Sequence, residues 1–84
     1  MYKVLKRTGD VFGDEPDVCD FLCDTSDDIA TLPNSTAEGT GGKSEYDNHK
    51  CSSGSIAYIS DTEETVKFYV LNNQDIWEAQ KFDN

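Results

Sequence analysis

The fold is decided by residues 55–80, which read SIAYISDTEETVKFYVLNNQDIWEAQ. Runs rich in β-branched and aromatic residues occupy 55–60, 66–71 and 76–80. Such residues favour strands. The polar segments between the runs, DTEET and NNQD, are typical of turns. The stretch therefore predicts a three-stranded antiparallel meander.

Alternation divides the central strand of this meander between two faces of the sheet. One face receives Val66, Phe68 and Val70, and the other receives Lys67, Tyr69 and Leu71. Because both faces carry large apolar groups, we expect the second face to be covered by the N-terminal half or by a partner. Trp77 is the only Trp, and we expect it to anchor the last strand in the core.

A further strand and a short helix are predicted upstream. VCDFLC (18–23) reads as a strand. Thr25 or Ser26 can cap a helix whose first turn contains Asp27 and Asp28, where negative charge is favourable. Pro33 ends this helix.

The chain is predicted to be one small domain with a long loop. Residues 33–54, PNSTAEGTGGKSEYDNHKCSSG, are rich in Gly and polar residues, so we expect them to supply no core and to be either mobile or a contact surface. Residues 1–16 are expected to form an N-terminal arm or a loose hairpin. The predicted fold is therefore α+β and mainly β: residues 17–84 form a single β-rich domain of strand, short helix, long loop and meander.

Charge and length exclude several classes of function. The chain has 84 residues and a formal net charge of −10, a field that repels nucleic-acid phosphate and anionic lipid. No apolar run approaches the roughly 20 residues that cross a bilayer, and residues 1–12 lack the apolar segment of a secretory signal. We expect a protein made in a cytoplasm that binds neither nucleic acid nor membrane directly.

The cysteines raise the question of a zinc site. Three Cys cannot all pair within one chain; we favour reduced, partly buried thiols, and one disulfide plus a free thiol is the alternative. Cys19, Cys23, His49 and Cys51 together would form a zinc ligand set. On a strand, however, Cys19 and Cys23 lie about 13 Å apart, too far for one ion, and only on a helix would they be adjacent. We expect them instead to flank Phe21 in the core.

Catalytic and cofactor sites are not predicted. The acidic run at 10–28 lacks the calcium-loop pattern, since Ile29 stands where a loop starting at Asp24 needs Gly. His49 is the only His and lies in a Gly/Ser-rich stretch without an evident orienting partner. The Gly-rich loop lacks the strand and helix that a phosphate-binding loop requires. We therefore expect no enzymatic activity and no cofactor.

Two segments together resemble a small module of tailed-bacteriophage and prophage virion proteins. They are FLCDTSDDIATLP (21–33) and GSIAYISDTEETVKFYVLNNQDIW (54–77). The matching residues are Leu32, Pro33, Gly54, Ser55, Ala57, Tyr69, Leu71, Asn72 and Trp77. The chain departs from the module in its long acidic first turn (61–65) and at Asp75, where the module has Gly.

The resemblance implies a non-enzymatic virion component, such as a capsid decoration, head-fibre, neck or tail accessory protein. Its partners would be other virion subunits, in a homo- or hetero-oligomer, and its location the virion, after synthesis in the host bacterial cytoplasm. The expected docking residues are Lys3, Lys6, Arg7, Val11, Phe12, Tyr69 and Leu71. The alternative is an acidic mimic of DNA, with carboxylates at 10–28 in place of phosphates, that inhibits a host nucleic-acid-binding protein.

Overall fold

One five-stranded mixed sheet forms the centre of the protein. The structure is a computed structural model that describes residues 1–9 and 15–80. The strands lie side by side in sequence order. They are β1 (Tyr2–Arg7), β2 (Cys19–Cys23), β3 (Ile56–Ile59), β4 (Phe68–Leu71) and β5 (Trp77–Gln80). β2 and β3 are parallel, and all other neighbours are antiparallel.

The predicted meander is part of this larger sheet. The antiparallel pairs β3–β4 and β4–β5 follow the three apolar runs of residues 55–80. β2 joins them by pairing in parallel with β3, so the sheet is mixed and does not end at three strands. A parallel pair needs a long crossover, and here residues 24–55 provide it. Their polar composition did not indicate a sheet connection.

The N-terminal segment corrects the expectation of an arm or a loose hairpin. Tyr2–Arg7 is an edge strand that pairs with β2, with a register shift between Val4 and Lys6. β1 is therefore part of the same sheet as the strands that follow it. Leu5 is the extra residue of this bulge, which interrupts the period of two by which a strand is recognised. Val11 and Phe12 lie outside the described residues.

Two short helical segments belong to the crossover. The predicted helix is a 3-10 helix over Ser26–Thr31, and the Thr25 side chain caps it by accepting a hydrogen bond from the Asp27 N–H. A single-turn helix α1 (Glu45–Asn48) lies inside the long loop and is capped by Ser44. The loop thus has regular structure that its composition did not suggest.

The core lies between one face of the sheet and the crossover. The sheet contributes the buried residues Tyr2, Cys19, Phe21, Cys23, Ala57, Ile59 and Leu71. The crossover contributes Leu32 and Cys51, and Pro33 is also fully buried. The expectation that residues 33–54 supply no core is therefore corrected. Two small residues of this segment, Pro33 and Cys51, are buried against the sheet.

The start of β3 joins three strands through two small residues. Gly54 has a φ of 94°, a conformation that favours glycine, and its N–H donates to the Leu71 carbonyl at 2.8 Å. The buried hydroxyl of Ser55 accepts a hydrogen bond from the Cys19 N–H at 3.0 Å and donates to the Ser52 carbonyl at 2.8 Å. Gly54 and Ser55 therefore link β2 to β4 at the point where β3 begins.

Candidate functional site

The face of the sheet opposite the core is the candidate functional site, here called the open face. Strand register places its side chains in two rows that cross all five strands. The first row is Lys3, Leu22, Tyr58, Phe68 and Gln80, and the second is Lys6, Asp20, Ile56, Val70 and Glu78. Every one of these residues keeps some exposure, and Tyr58 is 40% exposed. All the fully buried apolar side chains of the sheet lie on the other side.

The open face has charged margins and an apolar centre that is interrupted only by Asp20 of β2. Leu22, Ile56, Tyr58, Phe68 and Val70 occupy the three central strands, and the Tyr58 and Phe68 rings lie 6.3 Å apart. Lys3 and Lys6 lie at the β1 margin, and Glu78 lies at the β5 margin. The two lysines balance Asp20 and Glu78, so the face is formally neutral in a chain of net charge −10.

The alternation predicted for β4 is confirmed, but the face expected to meet a partner is corrected. Leu71 is fully buried and Tyr69 packs against the core cluster, so Leu71 cannot contact a partner. Phe68 and Val70 lie on the open face instead. Both sides of β4 are equally apolar, and only the position of the crossover decides which one is covered. The alternation along β4 therefore showed that Phe68 and Val70 share one face of the sheet, but it did not show which of the two faces is covered.

The expected basic docking residues behave differently from one another. Lys3 and Lys6 are exposed. The Arg7 side chain is only 1% exposed and pairs with Asp17 at 2.6 Å, and its guanidinium lies 5.2 Å from the centroid of the Tyr46 ring. Arg7 is therefore removed from the docking set, because the segments around Asp17 and α1 enclose it.

The cysteines are core residues. All three are free and buried, and Cys19 and Cys23 flank Phe21 as the strand prediction expected. Burial raises the pKa of Cys19 and of Cys23 to about 12 and that of Cys51 to about 11. The Cys51 thiol donates to the Pro33 carbonyl at 3.3 Å. These thiols are protonated at neutral pH, which disfavours both nucleophilic attack and metal binding.

The four residues considered as zinc ligands are not placed to hold one ion in the part of the chain that the structure describes. His49 is buried, with its Nε2 3.3 Å from the Glu15 carbonyl oxygen. Within residues 1–9 and 15–80, no group of three or more His, Cys, Asp or Glu side chains is placed to hold a metal ion. Because β2 is a strand, Cys19 and Cys23 lie at its opposite ends. This separation is too large for two ligands of one zinc ion, as the sequence predicts for a strand.

A cleft of about 410 Å³ adjoins the open face at the start of β1. Its lining residues are Met1, Tyr2, Lys3, Leu22, Asp24, Lys43 and Asp47. The Tyr2 hydroxyl is already engaged, because it donates to the Asn48 side-chain oxygen, and burial raises the pKa of Tyr2 to about 12. The cleft shares Lys3 and Leu22 with the open face, and its other lining residues lie outside the two rows of that face.

No protein-family model matches the chain, and no curated protein or solved structure matches it. In the part of the chain that the structure describes, no helix is long and apolar enough to cross a membrane. Function must therefore be inferred from the geometry of the open face.

Proposed function

We propose that the protein is a non-enzymatic component of a protein assembly and docks onto another subunit through its open face. One observation supports this above the others: five apolar side chains lie at the centre of a sheet face that the described residues cover only in part, with Tyr58 exposed and the other four half-buried. Contiguous exposed apolar patches rimmed by polar residues are typical of protein interaction surfaces. Lys3, Lys6 and Glu78 supply such a rim.

Association would also stabilise a chain whose own core is small. Among the described residues, the apolar core has nine buried members and lies on one side of the sheet. Small single cores rarely supply more than about 3–5 kcal/mol. Covering the open face removes further apolar area from water at about 25 cal/mol per Å². A partner that binds only the folded chain stabilises it by mass action.

We further propose that the assembly is a tailed-bacteriophage particle and that the chain reaches it from the cytoplasm of the host bacterium. The support is the resemblance carried by residues 21–33 and 54–77. Several matching residues have structural roles in the fold. The Pro33 carbonyl accepts a hydrogen bond from the Trp77 Nε1–H at 3.0 Å, and Gly54 and Ser55 link the central strands.

The docking proposal is tested with one added charge at two places. Tyr58→Asp puts a carboxylate in the apolar centre of the open face, and Thr62→Asp puts the same group in the exposed turn 61–65. Each variant, once shown by circular dichroism to be folded, is mixed with particles of the phage that encodes the chain, from which this protein has been deleted. We expect the unchanged chain and Thr62→Asp to co-sediment with the particles, and Tyr58→Asp to stay in the supernatant.

Two other results would overturn parts of the proposal. Equal sedimentation of Tyr58→Asp and the unchanged chain would show that the open face is not the docking surface. If even the unchanged chain stays unbound, the virion setting is wrong. Steeply salt-dependent binding to a basic nucleic-acid-binding protein would then favour the DNA-mimic alternative.

A further inference from the structure

We propose that the subunit that covers the open face is a second copy of this chain, packed face to face as a two-sheet sandwich. The inference deepens the proposed function and rests on its claim that the open face is a docking surface. The particle then takes up the chain as this dimer, so Tyr58→Asp loses particle binding because it breaks the dimer. Two sheets packed in this way lie about 10 Å apart. A twofold axis makes the contact closed and self-complementary, so the pattern of side chains on one face can be checked against itself.

The charge pattern selects one of the two ways to stack the faces. An axis parallel to the strands places β1 of one copy over β5 of the other. Lys6 then faces Glu78 of the second copy, and Lys3 faces its Gln80. An axis perpendicular to the strands would place β1 over β1 and bring the lysines together. Opposite charges across an interface fix its orientation, and like charges oppose it, so the first arrangement is favoured.

The same arrangement matches most of the apolar centre with itself, and only Val70 meets a charged residue, Asp20 of the second copy. The axis passes near β3, the middle strand of the sheet. Tyr58 therefore lies over Tyr58 of the second copy, and Ile56 over its Ile56. Leu22 on one side of β3 meets Phe68 from the other side, because these residues occupy equivalent places in the first row. Apolar side chains thus face apolar side chains along the whole first row between its margins.

The electrostatics of the face favour a second copy over a basic partner. The chain as a whole has a net charge of −10, which attracts basic proteins. On the open face, however, Lys3 and Lys6 offset Asp20 and Glu78. The surplus negative charge lies elsewhere, for example at the exposed crossover residues Asp27, Glu38 and Glu45. At physiological ionic strength, charges farther apart than about 8 Å are largely screened, so the distant carboxylates oppose pairing only weakly.

The size of the face sets the expected affinity. Five strands about 4.8 Å apart, each of a few residues, give a contact about 20 Å wide. Such an interface is at the small end of specific contacts, where association is weak and reversible. We therefore expect a dissociation constant of the order of 10–100 µM, corresponding to about 5–7 kcal/mol.

Exchange of the two marginal charges tests this arrangement directly. Lys6→Glu alone and Glu78→Lys alone each place like charges opposite one another at both ends of the dimer, so each variant is expected to sediment as a monomer. An equimolar mixture of the two restores both pairs, because the two carboxylates of one chain then meet the two ammonium groups of the other. The double variant Lys6→Glu/Glu78→Lys restores them with a single kind of chain. Sedimentation equilibrium at about 10–300 µM protein measures all four samples against the unchanged chain.

Matched controls separate the interface from net charge and from folding. Lys43→Glu and Glu63→Lys make the same changes of charge at exposed residues outside the open face, and we expect both to dimerise like the unchanged chain. Glu78 also accepts a hydrogen bond from the Asn72 Nδ2–H at 3.0 Å. A thermal melt must therefore show that Glu78→Lys is folded before its sedimentation is interpreted.

Each outcome bears on one claim. A monomer at all concentrations overturns the dimer, and Tyr58-dependent particle binding would then still support the open face as a docking surface. Single variants that dimerise like the unchanged chain, or a mixture that stays monomeric, overturn the proposed orientation. A dimer restored by the mixture, together with particle binding that Tyr58→Asp leaves intact, supports the dimer and shows that the chain binds the particle through another surface.

Discussion

The Arg7 guanidinium and the Asp17 carboxylate form an ion pair of 2.6 Å, and their side chains are only 1% and 8% exposed. The other terminal nitrogen of Arg7 donates to the Tyr46 carbonyl at 2.9 Å. The second oxygen of Asp17 accepts a hydrogen bond from the Gly9 N–H at 2.9 Å. This pair therefore ties the end of β1 to α1 and to the segment that leads into β2.

Removal of one partner of this pair is expected to be strongly destabilising. Arg7→Met leaves the Asp17 carboxylate buried without its cation, which typically costs about 3–5 kcal/mol. The double variant Arg7→Met/Asp17→Leu leaves no unpaired charge and should recover most of the loss. Urea denaturation at neutral pH measures both, with the exposed neighbour Lys6→Met as the control. A loss below about 1 kcal/mol for Arg7→Met would mean that water reaches the pair.

Asp75 combines an unusual backbone conformation with a side-chain anchor. It ends a three-residue hairpin loop in which the Asn72 N–H donates to the Ile76 carbonyl at 3.0 Å. Its φ of 67° is the left-handed conformation that this type of loop needs at its last position and that favours glycine. Its carboxylate accepts hydrogen bonds from the Ser35 N–H at 2.9 Å and the Thr36 hydroxyl at 3.1 Å. The hydrogen bonds explain why an aspartate serves here.

The pH dependence of stability should reveal this anchor. Desolvation acts to raise the pKa of Asp75, but hydrogen bonds from Ser35 and Thr36 outweigh it and lower the pKa below the ordinary value of 3.8. The stabilisation is thus complete above that value and is lost as the pH falls through the lower folded pKa. Asp75→Asn cannot titrate, so it should lose less stability than the unchanged chain between about pH 5 and pH 2.

Urea midpoints measured across this pH range test the expectation. Glu38→Gln, at an exposed carboxyl group outside the helices and strands, is the control and should follow the unchanged chain. Parallel curves for Asp75→Asn and the unchanged chain would contradict the anchor. At neutral pH, Asp75→Ala should cost about 2 kcal/mol, because two hydrogen bonds of about 1 kcal/mol each are removed.

Alkaline pH is expected to destabilise the protein through its buried thiols. Unfolded thiols ionise near their ordinary value of 9.0, whereas burial holds the pKa of Cys19 and Cys23 near 12. The unfolded state therefore releases protons first, and stability falls as the pH rises above 9.0. Tyr2 adds to the loss above its ordinary value of 10.0. Cys23→Ala should flatten the fall between about pH 9 and pH 10 in urea titrations.

Thiol labelling provides an independent measurement. With an aromatic disulfide reagent at about pH 8, we expect no rapid reaction of the folded protein and three reactive thiols in urea, as the chain has three Cys. Rapid labelling of the folded chain would contradict the burial of these residues. Two missing thiols in the unfolded chain would instead reveal a disulfide.

Trp77 is expected to stabilise the junction between β5 and the crossover. Its ring meets that of Phe21 edge to face at 6.0 Å, and its Nε1–H donates to the Pro33 carbonyl at 3.0 Å. Trp77→Phe removes the hydrogen bond and part of the ring, so we expect a loss of about 1–2 kcal/mol. Ile76→Ala, next to it and 59% exposed, is the control and should change stability by less than about 0.5 kcal/mol. Urea unfolding followed by circular dichroism compares the two, and equal losses would contradict this role.

Much of the sheet could be predicted because no bulge interrupts the pairing of β2 to β5 with one another. β1 was not predicted as a strand, because the bulge at Leu5 shifts the alternation between Val4 and Lys6. From the sequence, Arg7 looks like an exposed charged residue, because no residue near it in the chain indicates that Asp17 is its buried partner. Ion pairs between distant segments depend on the completed fold, and no local pattern carries that information.

The candidate site could be predicted only to the level of its strand. The period of two along β4 separates Phe68 and Val70 from Tyr69 and Leu71 correctly. The crossover covers the Leu71 side through Pro33 and Cys51, two small residues in a polar segment. Composition ranks such a segment as surface, so the sequence alone could not show which side of β4 stays open.

The parallel pair β2–β3 has a consequence for the order in which the chain folds. Its two strands are separated by the whole of residues 24–55, so closing this loop costs more entropy than forming the adjacent hairpins β3–β4 and β4–β5. We expect these hairpins to form early and β2, with β1, to join later, which slows folding relative to a simple meander. During synthesis β1 and β2 leave the ribosome first. They can join the rest of the sheet only after β3, the strand with which β2 pairs, has also been made.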